Sequence, residues 1–292
     1  QRDRRRRTHH DYQLQHVHFG LDQRRLVAGS EQRAGDPDHE CIGQAGIAIT
    51  TIGLGLDYNE DLMTQLARHS DGHHAFAEHP HQLTHLFTHE LGNLLTVVAQ
   101  QVTITILSAE GIQPLRILGR EADIRDSSIL VTLNQLYHTQ EQQILLEMAV
   151  PPTPVNQPRA IAEVAISYHN LNTDTTDHLA NQLSATFTTS AQLVAAQTNP
   201  QVMTVVAEQL ALEQNKLAVK LRDQGQIAEA REVLLETAAF LKEQSAKYDS
   251  SPLSQLKDLN ITEAQNLETP NWNRQRKIMR QEQYRAEKQR KY

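Results

Sequence analysis

His81, His85 and His89 recur every four residues, and Glu90 follows the last of them. Two histidines at i and i+4 on one helix face can share a zinc ion. His69, His73, His74 and His79 lie just upstream, in what reads as loop, so seven imidazoles between His69 and His89 could gather a metal or make the region pH-sensitive. A helical wheel opposes that chemistry. At about 100° per residue the three regularly spaced histidines span about 80°, and their mean direction lies opposite Leu83, Leu86 and Phe87. The expectation is a solvated histidine stripe, with no catalytic, cofactor-binding or metal-ligating residue assigned.

Asp57, Glu60 and Asp61 form a second candidate cluster. Asp57-Tyr58-Asn59-Glu60-Asp61 begins like a calcium loop. Such a loop needs glycine sixth and glutamate twelfth, and this chain has Leu62 and Arg68 there. The acids are better placed as helix caps, with Asp57 or Asn59 closing the start of a helix near Glu60. Gly53-x-Gly55 lacks the third glycine of a dinucleotide loop and the basic partner of a phosphate loop, so it reads as a turn. There is no Gly-x-Ser-x-Gly elbow, and the lone Cys41 has no evident partner.

The elements that carry these residues read as an alternating β/α unit. Ile47 to Ile52 is a continuous apolar, β-branched run, the pattern of a strand buried on both faces. Leu62, Met63 and Leu66 follow at helical spacing. His74 to Ala77 can form one more short strand, and a helix runs from about His81 to Leu94 with Leu83, Leu86, Phe87 and Leu91 on one face.

The run Ile49 to Asp61, together with Phe76, Pro80, Leu83, Phe87, Glu90, Leu91 and Leu95, resembles the fifth strand, last strand and last helix of the von Willebrand factor type A family. The resemblance is to bacterial multidomain members, often labelled by analogy with inter-alpha-trypsin inhibitor heavy chains or calcium-activated chloride channel proteins. It covers about Ala45 to Leu95. It implies a Rossmann-like module whose intact relatives hold magnesium through an Asp-x-Ser-x-Ser loop, a threonine and a further aspartate. None of that loop precedes Gly46, and the only Asp-Gly, Asp71-Gly72, lies downstream of the fifth strand. Magnesium is therefore expected only of an intact relative. Residues 44–95 read as the C-terminal half of the module, with its N-terminal half missing or frame-shifted.

Residues 1–43 hold eight arginines, five histidines and no lysine, without apolar order of either period. They read as a disordered basic arm, a cloning segment or a shifted frame. Glu40-Cys41-Ile42-Gly43-Gln44, back-translated one nucleotide later, permits Ser-Ala-Leu-Ala-Lys, the helical run such a domain would carry there.

Downstream the pattern changes. Val97 to Leu107 alternates, and Leu115–Leu118, Ser128–Leu133, Gln142–Val150, Ala160–Tyr168 and Leu179–Phe187 are further strand candidates between turn signals. Residues 96–190 thus read as an antiparallel β-sandwich. Pro151, Pro152, Pro154 and Pro158 mark an edge crossing or a link between sheets. Residues 199–248 read as a helical hairpin docked on the sandwich. Asn199-Pro200 caps the first helix, Val202, Val206, Leu210, Leu217 and Leu221 line it, and Gly225 stops it. Ala230, Val233, Leu234, Phe240 and Leu241 face inward on the second. The hairpin resembles one tetratricopeptide unit, and a lone unit needs a neighbour to bury its face. Residues 249–292 read as a weakly structured linker between Pro252 and Pro270 and a basic C-terminal helix. The predicted class is α+β multidomain.

Charge divides the chain. Residues 44–270 carry 12 Lys+Arg against 26 Asp+Glu, and residues from Asn271 carry eight against two. An acidic body disfavours nucleic acid. The basic tail reads as a solvated helix, or one that contacts an acidic partner, a lipid headgroup or its own body. No apolar run reaches the ~18 residues of a membrane span. Together these features predict a non-enzymatic interaction or adhesion-type protein with an unidentified protein partner. By resemblance its address is the bacterial envelope or periplasm rather than the cytoplasm. The alternatives are a zinc hydrolase built on His69–His89 and an adaptor for an ATPase complex.

Overall fold

The computed structural model describes residues 48–70, 72–94, 96–120, 122–138, 141–151, 154–268 and 272–288, with backbone only over 89–94. Residues 1–43, and Cys41 with them, lie outside the described residues.

The α/β part comprises β1 (Thr51–Leu54), α1 (Glu60–His69), β2 (His74–Ala77) and α2 (His81–Leu94). β1 and β2 run parallel, Thr51 opposite His74 and Leu54 opposite Ala77. The apolar run predicts a strand from Ile47, which lies outside the described residues; among those described the ladder starts at Thr51, opposite the four-residue β2. Burial is also one-sided. Thr51 and Gly53 are buried, while Leu54 is 44% exposed, as expected of a strand with one described neighbour. Asn59 caps α1, accepting the Leu62 N–H at 3.0 Å.

The glycine turn is steric. Gly55 sits at φ +71, and a Cβ on Gly53 would lie 2.0 Å from Cζ of Tyr58, whose ring lies over that glycine. Gly53→Ala is therefore expected to expel the ring and lower stability by about 2 kcal/mol, read as the midpoint of urea unfolding. An unchanged midpoint would show that the ring does not need this place.

Among the described residues the sandwich holds seven strands: β3 (Val97–Ser108), β4 (Gln113–Leu118), β5 (Asp123–Arg125), β6 (Ser128–Tyr137), β7 (Leu145–Ala149), β8 (Pro158–Asn170) and β9 (Thr175–Thr186). Five form one antiparallel sheet in the order β5-β6-β3-β8-β9, and β4 pairs with β7 in the other. Alternation on β3 sends Val102, Ile104 and Ile106 inward, where they join Ile129, Val131 and Val164 from their own sheet and Ile117, Leu146 and Met148 from the other. The proline-rich segment between β7 and β8 carries the chain from one sheet to the other.

Five helices follow: α3 (Ala191–Gln197), α4 (Pro200–Asp223), α5 (Ile227–Tyr248), α6 (Ser251–Asn266) and α7 (Trp272–Glu287). Asn199 caps α4 by accepting the Gln201 and Val202 N–H groups. Gly225, at φ +83, lies in the turn to α5. Leu118 and Leu145 of the second sheet pack with Val202 and Val206, which seats α4 on the sandwich. The buried stripe of α4 is richer in alanine than its leucines suggest. Ala207, Ala211, Ala218 and Val219 are buried, and Leu217 is 41% exposed. Small side chains let α4 lie close to α5, whose Ala230, Leu234 and Leu241 are buried.

The predicted linker between Pro252 and Pro270 is instead a regular helix. Ser250 caps α6, accepting the Leu253 N–H, and Pro252 sits in the first turn, where a missing N–H costs nothing. Leu253 and Ala264 bury against α4 and α5, so the hairpin gains a third helix and α7 a fourth.

Candidate functional site

The basic segment beginning near Asn271 binds its own body. α7 lies where the α/β part, the sandwich and the helices meet, and polar side chains bind it along its length. Arg274 pairs with Glu78 after β2 at 2.7 Å. Arg276 binds Glu60 and reaches Asp61 at 2.7 Å and Asp223 at 2.9 Å. Lys277, 3% exposed, places Nζ 2.6 Å from Glu60 and 2.9 Å from the Tyr58 carbonyl oxygen, 4.2 Å above the Tyr58 ring. The Tyr284 hydroxyl donates to the Gly72 carbonyl at 2.8 Å. At the C-terminal end Glu287 is held by Arg68 at 2.7 Å and Lys216 at 2.9 Å, and Gln142 of the sandwich donates to the Lys288 carbonyl.

Burial alone would raise the Glu60 carboxyl, yet Lys277 and Arg276 outweigh it and hold the group below the usual range. Asp61 and Glu287 follow the same pattern. Burial opposes their charge, and Arg276 with Arg280, or Arg68 with Lys216, overcomes it. Burial first, and then the Glu60 charge, raises the Tyr58 phenol. Glu60 and Asp61, in the first turn of α1, are therefore ionised and ion-paired.

Beside this network lies a cleft of about 500 Å³, walled by α1, the end of β4, α4 and α7. Arg68, Arg120, Lys216 and Arg280 line it with Asp61, Glu213 and Glu287.

The described histidines between His69 and His85 do not converge on a metal site. His73 and His74 are each 2% exposed. His74 receives or gives a hydrogen bond with Thr51 Oγ1 at 3.0 Å and packs edge-on to Tyr284. Burial pushes it down to about 4, so it is a neutral core histidine at the start of β2, the short strand expected from His74 to Ala77, rather than a member of an exposed loop cluster. His69, His79, His81 and His85 are exposed, and the His89 side chain lies outside the described residues. Among the described residues no group of three or more His, Cys, Asp or Glu is placed to hold a metal. Among the described residues the magnesium of intact type A domains also finds no fitting group of donors. Asn59 is spent as a cap, and Glu60 and Asp61 on α7 cations. Phe87, predicted inward, is 55% exposed, because α2 packs chiefly on the four-residue β2.

Sequence reasoning assigned no site and missed Arg276, Lys277 and Arg280. The available signal was charge: a basic segment after an acidic body, with Glu60 and Asp61 at a helix start.

No family model matches the chain, and no curated protein matches it in sequence. Solved structures do match in fold. A von Willebrand factor type A structure from Catenulispora acidiphila has a TM-score of 0.58 at 11% identity, over 74% of this chain and 52% of that one. The ArnB paralog VWA2 from Sulfolobus acidocaldarius has 0.52 at 18%, over 82% and 55%. The human COPII-coat protein Sec24c has 0.53 at 11%, over 84% and 33%. The chain spans about half the length of the two type A structures. Its α/β module, with the sandwich and helical region behind it, thus shares the fold of von Willebrand factor type A structures.

Proposed function

We propose that this chain is a non-enzymatic interaction protein of the type A, adhesion-like kind, in which a small α/β module is locked onto a sandwich-and-helix scaffold and presented to a protein partner. The observation that carries this reading is the α7 network. Glu60 and Asp61, in the first turn of α1, are committed to Arg276, Lys277 and Arg280, which joins modules rather than exposing reactive groups. Type A and coat-protein structures among the fold neighbours agree with a role in assembly. The bacterial envelope is the proposed address. Among the described residues no helix is long and apolar enough to cross a membrane.

Crosslinking in the native cell followed by mass spectrometry tests the proposal. A single partner protein, recovered at fixed stoichiometry through the sandwich or helical faces, is the expected result. Zinc-dependent hydrolysis of ester or peptide substrates, abolished by His81→Ala with His85→Ala, would replace it with the hydrolase reading.

A further inference from the structure

The cleft beside α7 reverses the local charge of an acidic molecule. Four cations line it against three carboxylates, whereas residues 44–270 as a whole are strongly acidic. Two of those carboxylates are also drawn by guanidiniums outside the lining: Asp61 by Arg276 at 2.7 Å and Glu213 by Arg116 at 2.8 Å. The third shows what the wall can hold. Arg68 grips both oxygens of Glu287 at 2.7 and 3.0 Å while Lys216 binds one at 2.9 Å, a forked guanidinium and an ammonium on a single carboxylate. Farther along, Arg120 donates to the Gln142 amide oxygen at 2.7 Å.

A buried donor of the lining also lacks an acceptor. Gln283 is 6% exposed and takes Arg280 through its amide oxygen at 3.1 Å, while its Nε2 has no hydrogen-bond partner. A buried unpaired amide N–H is costly, and a turn of the Gln283 side chain toward the cleft would let a bound acceptor supply its partner. The volume of about 500 Å³ falls within the range of small-ligand pockets, and such pockets favour junctions between domains. Here α1 of the α/β part, the β4 end of the sandwich, and the helices α4 and α7 all contribute.

We propose that this cleft binds a small oxyanion, a molecule bearing carboxylate or phosphate groups, seated between Arg120, Lys216 and Arg280. A focused positive field inside an acidic molecule selects such a ligand over a cation or an apolar one. Because the walls come from three modules, the bound anion ties them together and stabilises the chain.

The test is isothermal titration of the full chain at low ionic strength with succinate, citrate and inorganic phosphate, using sodium chloride at matched ionic strength as control. Saturable one-to-one binding in the submillimolar range is expected for at least one probe. Phosphate binding alone assigns a phosphoryl ligand, and succinate or citrate binding assigns a carboxylate ligand. Arg120→Gln should weaken binding about tenfold, and Glu213→Gln, which removes a repelling charge, should tighten it about threefold. A residue with a merely structural role would not give these opposite signs. No saturable heat beyond the chloride control up to about 10 mM, or binding indifferent to both substitutions, overturns the proposal.

Discussion

Replacing Lys277 with methionine is expected to lower the unfolding free energy by about 3 kcal/mol, a large fraction of the total for a chain of ordinary stability. The cost lies in what the lysine leaves behind. Glu60 is 6% exposed, and its partners are Lys277 at 2.6 Å and Arg276. Without the ammonium a nearly buried carboxylate keeps only a guanidinium already shared with Asp61 and Asp223, and the Tyr58 carbonyl loses its donor. Removing both charges behaves differently. The double variant Glu60→Leu with Lys277→Met should return to within about 1 kcal/mol of the parent, because burying two charges is itself expensive. Urea titrations of the parent, both single variants and the double variant measure the coupling directly. The pH dependence follows from Glu60, whose carboxyl is held below its ordinary value in the folded chain. Its contribution is fully present above the unfolded value of about 4.3 and is lost as pH falls through the folded one, so the penalty of Lys277→Met should shrink below about pH 4. A single variant within about 0.5 kcal/mol of the parent at neutral pH would show that the network does not hold the modules.

The same residues explain what the sequence could and could not reveal. The alternation of Val102, Ile104 and Ile106 is a local signal of period two, and it placed β3 on the core face of a sandwich. The Asn199 cap and the Gly225 turn are equally local. On α1 local reasoning fails. Its buried positions are Glu60, Thr64 and Ala67, while Leu62 is 52% exposed. An apolar stripe is the usual mark of the inward face, but here that face meets the cations of a helix some two hundred residues downstream, and no local rule contains that pairing. The tail's charge did announce a need for acidic company, and its own body was one of the partners considered. The choice among body, lipid and foreign partner depended on tertiary placement. β5 escaped notice because three residues are too few to show a period. Pro252 was misread for a different reason. A proline looks the same at a linker boundary and in a first helical turn, and only the serine before it, read as a cap, separates the two.

The placement of α7 thus draws on polar contacts as well as apolar ones, and one polar contact is unfavourable at neutral pH. Glu263 on α6 is 4% exposed, and its Oε2 accepts no hydrogen bond. Burial, reinforced by the charge of Glu282 on α7, pushes its carboxyl up to about 7. The folded chain thus retains a proton that the unfolded chain releases above about pH 4.3, so stability falls as pH rises from there to about 7. Beyond pH 7 the native state carries a buried carboxylate facing a second acid, and the accumulated penalty is about 3 kcal/mol. Glu263→Gln removes the titration and keeps the shape. Its new amide hydrogens have an acceptor in reach of the same helix face, since Asn260 lies one turn earlier, fully buried, with Oδ1 unpaired and its own amide given to the Leu256 carbonyl. The variant should therefore gain about 3 kcal/mol over the parent at pH 8, about 1 kcal/mol at pH 5 and almost nothing below about pH 4, read as the shift in urea midpoint at each pH. An equal gain at every pH would mean that packing rather than charge is at stake, and no gain at pH 8 would mean that Glu263 finds solvent or a cation in the native state. The substitution leaves Lys277 and its partners untouched, so its effect should add to that of Lys277→Met, and a measured sum would show whether the two faces of α7 are held independently.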